Sequence, residues 1–310
     1  MPSIATAPPA TARSRRLGVA LTLAGAALFS TKAVSVKLAY QHDVAPIALL
    51  GLRMGISLPF FLAIGLVQMR RTTPSVALDA RGVLTAVSTG LIGYYVASFT
   101  DFAGLRYISA GMERIILFAY PTIVLVAQRL LFGVPSTRTQ WWATGISYAG
   151  ILVAFSDADL SRGSDFWRGA ALVAVSAVTY AAYVIASGRM TPRYGTIRFT
   201  TLAMVAAAGG VLAHVYLSGH ALLGLAREVY GWGVVIALVC TVVPTYLVAD
   251  GIKRVGAGDA AIIGAVGPVV TIALEYYALP DRLTAVQLIG GGLVIAGVVL
   301  AARARPPVQA

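Results

Sequence analysis

An all-α integral membrane protein, with ten transmembrane helices in two five-helix repeats of inverted topology, is the fold class that three observations predict. Apolar runs long enough to cross a bilayer recur from near one end of the 310-residue chain to the other. The segments between them are too short to hold a soluble domain. Glycines and prolines also recur at one fixed offset between the two halves.

A bilayer span needs about 20 mostly apolar residues. Ten stretches qualify: 17–39, 45–68, 83–104, 109–132, 139–156, 167–187, 197–218, 230–252, 257–279 and 284–302. Composition agrees, with 58% hydrophobic residues, 12% charged residues and a mean hydropathy of +0.81; a soluble domain carries roughly twice that charged fraction. The first run follows Arg15 and Arg16 as the apolar core of a signal peptide would. Lys32 interrupts it without a convincing cleavage site and nine further runs follow, so it reads as a retained span. The predicted organisation is a disordered cytoplasmic tail at 1–16, a first repeat at 17–156, a second repeat at 157–302 and a cytoplasmic tail at 303–310.

The net charge of +12 is explained by topology rather than by nucleic acid, because no basic stripe is interleaved with stacking aromatics. Fifteen Lys and Arg residues fall on the side of the N-terminus, among them Arg13, Arg15, Arg16, Arg70, Arg71, Lys253 and Arg254. Only Arg106, Arg162, Arg168, Arg227 and Arg282 fall on the other. That asymmetry puts both termini in the cytoplasm and the protein in the cytoplasmic membrane. The single cysteine, Cys240, lies within a span and reads as a small packed hydrophobe.

The internal repeat pairs Ser109-Ala-Gly-Met-Glu-Arg-Ile-Ile-Leu-Phe-Ala-Tyr-Pro121 with Gly256-Ala-Gly-Asp-Ala-Ala-Ile-Ile-Gly-Ala-Val-Gly-Pro268. Gly111 and Gly258, Pro121 and Pro268, Gly145 and Gly292, and Gly150 and Gly297 all keep an offset of 147. Each half holds five spans, an odd number, so the second half enters the bilayer inverted. Exchanging the conformations of two such halves opens a central site first to one side and then to the other, which is transporter architecture.

These residues resemble the drug/metabolite transporter superfamily, EamA type. The Ser-Ala-Gly…Tyr-Pro pattern opening the fourth span, the Gly-Pro of the ninth, Asp281-Arg282-Leu283-Thr284 and the Gly-rich tenth span carry the resemblance over about 17–302. It implies export of amino acids or other metabolites, aromatic amino acids among them, through a site lined by spans 1, 3, 4, 6, 8 and 9. The family often has Gly-Glu after the fourth and ninth spans; Val134 and Asp281 stand there in this chain.

The candidate site residues are the polar and bent positions inside the spans. Lys32 is costly in hydrocarbon unless paired, at least about 2.5 kcal/mol, and is expected to attract a substrate carboxylate. Arg53, Asp101, Glu113 and Arg114 lie at similar depth, with Glu275 a weaker companion. They read either as structural ion pairs drawing helices together or as an outer gate that breaks and re-forms. Tyr94, Tyr120, Tyr180, Tyr183 and Thr245 are the remaining substrate contacts expected; Ser176, Tyr180, Tyr183 and Ser187 follow one face of the sixth span. Pro121, Pro244 and Pro268 fall near the middles of spans four, eight and nine and predict bends bordering the cavity.

No metal-ligand cluster and no phosphate loop is present in the sequence, so neither a metal, a cofactor nor ATP drive is expected. His214 lies in a span without a nucleophile motif, so no enzyme is expected. The predicted partners are a small-molecule substrate and the lipid bilayer, with no nucleic acid and a monomeric state. The function expected is secondary or facilitative export of small metabolites, chiefly amino acids, by alternating access. A multidrug or other metabolite exporter of the same fold is the alternative, ahead of a channel or a membrane enzyme.

Overall fold

The computed structural model describes residues 12–71, 79–133, 136–156, 163–255, 263–264, 266–279 and 283–303. Among them every regular element is helical. We label the helices α1 (Ala12–Tyr40), α2 (Pro46–Arg71), α3 (Ala80–Gly104), α4 (Ala110–Phe132), α5 (Arg138–Ser156), α6 (Gly163–Tyr194) and α7 (Thr196–Leu217). They are followed by α8 (Arg227–Val255), α9 (Gly267–Ala278) and α10 (Ala285–Arg303).

Seven of these, α1–α4 and α6–α8, are long and apolar enough to cross a membrane, and α10 carries a shorter apolar stretch, Ala285–Leu300. The other two expected spans are weaker for local reasons. Helix α5 opens on Arg138-Thr-Gln-Trp-Trp, which lowers its mean hydropathy, and the described part of α9 starts only at Gly267. Helix α1 begins at Ala12, ahead of the expected span, and α10 continues to Arg303. The remaining N-terminal tail, residues 304–310, Val134, Gly258, Asp281 and Arg282 lie outside the described residues.

Packing pairs the first half of the chain with the second. Helix α1 lies against α8 and α9, and α6 lies correspondingly against α3 and α4. Helix α2 packs on α7, and α5 on α10. The main core joins Leu49, Leu50 and Met54 of α2 to Val36, Phe102, Val211 and Ile236 from four other helices. Leu84, Leu152 and Ile289 point outward, as an apolar solvent around the bundle permits.

The two halves also interrupt their helices at corresponding places. Helix α4 breaks after Leu117 and restarts at Tyr120-Pro121; the Ala119 backbone before the restart has φ −69°, ψ −18°. Helix α9 starts at Gly267-Pro268 behind Val266, with φ −66°, ψ −21°. Both prolines therefore sit in a first turn, where their missing N–H costs no hydrogen bond. The third helix of each half contains a π-helical stretch, Leu91–Val96 in α3 and Val235–Val242 in α8. Pro244 follows directly on the latter, so the widened turn absorbs the bond that proline cannot make. Pro59, which sequence inspection did not single out, lies inside α2.

The glycines of the repeat differ in what they do. A Cβ on Gly150 would lie 2.6 Å from the Gly290 carbonyl oxygen, and one on Gly290 would lie 2.6 Å from that of Gly150. Small residues thus let the α5 and α10 backbones touch, the packing on which helices in lipid depend. Gly145 and Gly292 have open space around them. Gly150→Val should therefore lower the thermal unfolding midpoint of the purified protein, overpacking costing about 1–3 kcal/mol. Gly145→Ala, gaining helix propensity in open space, should leave the midpoint unchanged or slightly raised.

Candidate functional site

The charges buried in the bundle converge at the end where α1 and α3 finish and α2 and α4 begin. Lys32 lies eight residues before the end of α1, about 12 Å along the axis at 1.5 Å per residue. Its Nζ donates to Asp101 Oδ2 of α3 at 2.5 Å and to Glu113 Oε1 of α4 at 3.2 Å. Asp101 and Glu113 are 2% and 0% exposed, so one ammonium serves two carboxylates out of reach of bulk solvent. The guanidinium of Arg114 stands 3.6 Å from Glu113 Oε2, an ion pair too long for a hydrogen bond. The Ser109 hydroxyl caps the first turn of α4 by accepting from the Met112 amide, which sets where Glu113 and Arg114 project.

Arg53 of α2 joins this region differently. Its Nε donates to the Thr241 hydroxyl at 3.0 Å and its Nη1 to the Ser98 hydroxyl at 3.1 Å. Its guanidinium also lies 5.6 Å from the centre of the Phe102 ring. No carboxylate among the described residues comes within ion-pair distance of it, since Asp101 is held by Lys32. Of the four residues expected as a gate, the structure gathers Asp101, Glu113 and Arg114 around Lys32 and leaves Arg53 with hydroxyl partners. Lys32, expected to await a substrate carboxylate, already has two protein carboxylates.

Glu275 of α9 is buried and accepts from the Gly111 amide at 2.7 Å, where the free N–H groups of the α4 N-terminus favour negative charge. Thr271 donates to the Ser30 carbonyl at 2.9 Å, tying α9 to α1. The Thr31 hydroxyl lies 3.0 Å from the Cys240 sulfur, tying α1 to the π-helical stretch of α8. Ser98, Thr241 and Phe102 are the members of this region that sequence reading missed. Thr241 was visible only as a neighbour of Pro244, and short hydroxyl side chains in apolar spans carry little signal of their own.

The four candidate tyrosines meet. Tyr120 of α4 sits edge-on to Tyr180 of α6 at 5.0 Å, and Tyr180 stacks on Tyr183 at 6.2 Å. Tyr183 in turn meets Tyr94 of α3 edge-on at 4.7 Å. Gly93 allows this contact, because a side chain there would collide with Tyr183. Ser98, which Arg53 holds, follows Tyr94 by four residues along α3, so the ring cluster and the charged cluster adjoin. Thr245 bonds back to the Thr241 carbonyl at 2.6 Å one turn along α8. His214 of α7 is engaged by the Tyr95 hydroxyl at 2.9 Å and the Phe99 ring. No group of three or more His, Cys, Asp or Glu side chains suited to a metal occurs among the described residues.

At the opposite end of α3, outside the spanning segments, Asp79 accepts from the Gly82 amide at 2.7 Å and from the Tyr194 hydroxyl at 2.8 Å. The Tyr194 bond first, then the Gly82 bond, hold the Asp79 carboxyl below its usual value. A lowered carboxyl value stabilises the fold at pH above the unfolded value, and the gain disappears as pH falls through the folded one. The stability difference between wild type and Asp79→Asn should accordingly be present at pH 7 and shrink on acidification through that range, measured by thermal unfolding.

Lys32→Ala leaves the buried Asp101 without its paired cation and Glu113 with Arg114 alone, and breaking a buried pair in this way typically costs about 3–5 kcal/mol. Little folded protein is expected from it in detergent size-exclusion profiles. Adding Asp101→Asn to Lys32→Ala should restore the folded yield, because Glu113 then keeps Arg114 as its counter-charge.

Comparison with known proteins supplies the context for this geometry. The model of the EamA-like transporter family matches the chain twice, at residues 16–156 and 167–303. The uncharacterized transporter YcbK of Bacillus subtilis (strain 168) is 30% identical over 295 residues, covering 90% of this chain and 91% of its own. The uncharacterized transporter YdfC of the same organism is 23% identical over 221 residues, 71% of each chain. A solved crystal structure superposes with a TM-score of 0.63 at 17% identity, covering 92% of this chain and 96% of the other; it speaks to the fold alone. A two-fold family match spanning nearly all the spans, with a relative of equal length at 30% identity, has one reading: the chain belongs to the EamA-like transporter family.

Proposed function

We propose that this protein is a secondary or facilitative transporter that exports small metabolites, amino acids including aromatic ones foremost, by alternating access. In this reading ten spans form two five-helix repeats of inverted topology, both termini are cytoplasmic, and the protein resides in the cytoplasmic membrane as a monomer. Support comes from the consecutive family matches, from the exchange-symmetric packing of α1 on α8 and α9 and of α6 on α3 and α4, and from the paired helix restarts at Pro121 and Pro268.

The observation that carries the substrate reading is the adjacency of a ring cluster and a charged cluster between helices of both halves. Tyr94, Tyr120, Tyr180 and Tyr183 offer ring faces and edges to a flat apolar group, and aromatic contacts of that kind are worth about 0.5–1.5 kcal/mol each beyond burial. Lys32, Asp101, Glu113 and Arg114 form the gate in this reading, their pairs exchanging as the halves rock. Lys32 goes to the gate rather than to the substrate because its ammonium is already engaged. Thr245 lines the path beside Pro244, and the helix interruptions at Pro121, Pro244 and Pro268 provide compliance. Export of drugs or other metabolites by the same fold remains the second reading, favoured by the abundance of ring surface.

Proteoliposomes decide between them. Radiolabelled phenylalanine, tyrosine and tryptophan should enter saturably, faster when unlabelled substrate is loaded inside, while empty liposomes show neither effect. Tyr180→Ala should raise the half-saturating concentration roughly tenfold, the loss expected of about one aromatic contact and its buried area. Absence of counterflow for every amino acid tested would remove the amino-acid reading and direct the assay to lipophilic drugs.

A further inference from the structure

Five charged side chains lie near the same end of α1–α4: Lys32, Arg53 and Arg114 are cationic, Asp101 and Glu113 anionic, and all but Lys32 are buried. Lys32 and Arg114 share the two carboxylates, which closes that part of the account at zero charge. Arg53 is left over. It is 6% exposed, always protonated, and held among the described residues by neutral groups, the Thr241 and Ser98 hydroxyls and the Phe102 ring face. Asp101 is held by Lys32 and does not come within ion-pair distance of it. Glu275 accepts from the Gly111 amide.

A buried charge without a counter-charge is unfavourable unless something else neutralises it. The neutral partners do not do so, but they do orient the guanidinium. Nε and Nη1 are pinned on hydroxyls from α8 and α3, and the Phe102 ring covers it. What this arrangement leaves is a rigid, electrically unsatisfied guanidinium on the flank of the tyrosine cluster. The fork of an arginine matches a carboxylate in shape and charge.

We infer that Arg53 is the anion anchor of the binding site, taking the carboxylate of a substrate whose apolar part lies on the Tyr94–Tyr183 side. The substrate class this selects is a small organic carboxylate with an aromatic or otherwise flat apolar group; an amine without a carboxylate is not in the class. Anchoring at Arg53 also explains why Lys32 is fully occupied within the protein, since two cations competing for one carboxylate would weaken discrimination. A carboxylate bound at Arg53 contacts α2, which carries it, while α3 and α8 hold its guanidinium, so occupancy is felt by helices of both halves. The inference rests on the transport reading for the substrate's route to the site; binding itself is tested without transport.

The test is ligand-dependent thermal unfolding of the purified full-length protein in detergent, with 3-phenylpropionate, L-phenylalanine and phenethylamine as probes. The two carboxylates should raise the wild-type midpoint in a saturable way, and phenethylamine, with a closely similar skeleton and no carboxylate, should not. Arg53→Met, which keeps the length of the stem, should weaken carboxylate binding by about 10- to 100-fold, the range for hydrogen bonds to a charged group. The ligand-free Arg53→Met protein should be as stable as wild type or more so, because an uncompensated charge has been removed; an arginine serving only as a structural pair would give the opposite. Should Arg53→Met yield no folded protein, Arg53→Lys and Ser98→Ala carry the comparison, each weakening the carboxylates without conferring a response to phenethylamine. A wild-type midpoint indifferent to both carboxylates, or a variant that responds as wild type does, overturns the anchor. Carboxylate binding lost with Arg53 but no counterflow in liposomes would keep the anchor and remove the amino-acid transport reading. Counterflow of phenylalanine amide as fast as that of phenylalanine would do the reverse.

Discussion

Lys32 between Asp101 and Glu113 is the contact around which the rest of the bundle is arranged. Its three groups come from α1, α3 and α4, and each alone would be strongly unfavourable away from water. Together they oblige the three helices to meet at one depth and in one rotational setting. The net worth of such a cluster against an apolar replacement is small, because desolvation offsets attraction. Its directional demand is large, since any slippage of one helix leaves a buried charge behind. The opposite flank of α1 is bound to the second half through Thr31 with Cys240 and through Ser30 with Thr271. One helix therefore joins the charged cluster of the first half to α8 and α9 of the second.

That junction gives the interruptions in α3, α4, α8 and α9 a physical sense. A continuous helix passes displacement along its axis as a rod, whereas a π-helical turn or a restart at proline lets its two ends adjust separately. The interruptions border the region where Arg53, Tyr94, Thr241 and Tyr120 are found, while the seam of α5 and α10, with Gly150 against Gly290, is backbone on backbone and leaves no slack. Helix interruptions lie beside the candidate site and close backbone packing at the α5–α10 seam.

The charges of the site were legible because ionisable residues stand out in apolar spans, and Lys32, Asp101, Glu113 and Arg114 do form one network. Their pairing was not legible. Arg53 lies at the same depth as the carboxylates by sequence, yet the Lys32 ammonium reaches Asp101 and the Arg53 guanidinium turns to Ser98 and Thr241. Depth follows from residue count along a helix, while direction around its axis depends on which neighbour it packs against. The tyrosines divide the same way. Spacing along α6 puts Tyr180 and Tyr183 on one face, but their meeting with Tyr120 and Tyr94 requires α6 to lie against α3 and α4, with Gly93 clearing the space.

Helical segments and their apolar character follow from local composition, since in hydrocarbon each backbone N–H and C=O must be satisfied within its own helix. The repeat offset likewise pairs Pro121 with Pro268, which the sequence marks as bends and the structure places at helix starts, because proline acts on its own turn. The partners across helices are another matter. That Lys32 is taken by protein carboxylates, that Arg53 turns to the Ser98 and Thr241 hydroxyls and that four tyrosines share one cluster are outcomes of helix order, rotation and close approach. Those depend on residues far apart in the chain, such as Gly93 with Tyr183 and Arg53 with Thr241, and only the packed bundle brings them within a few ångströms.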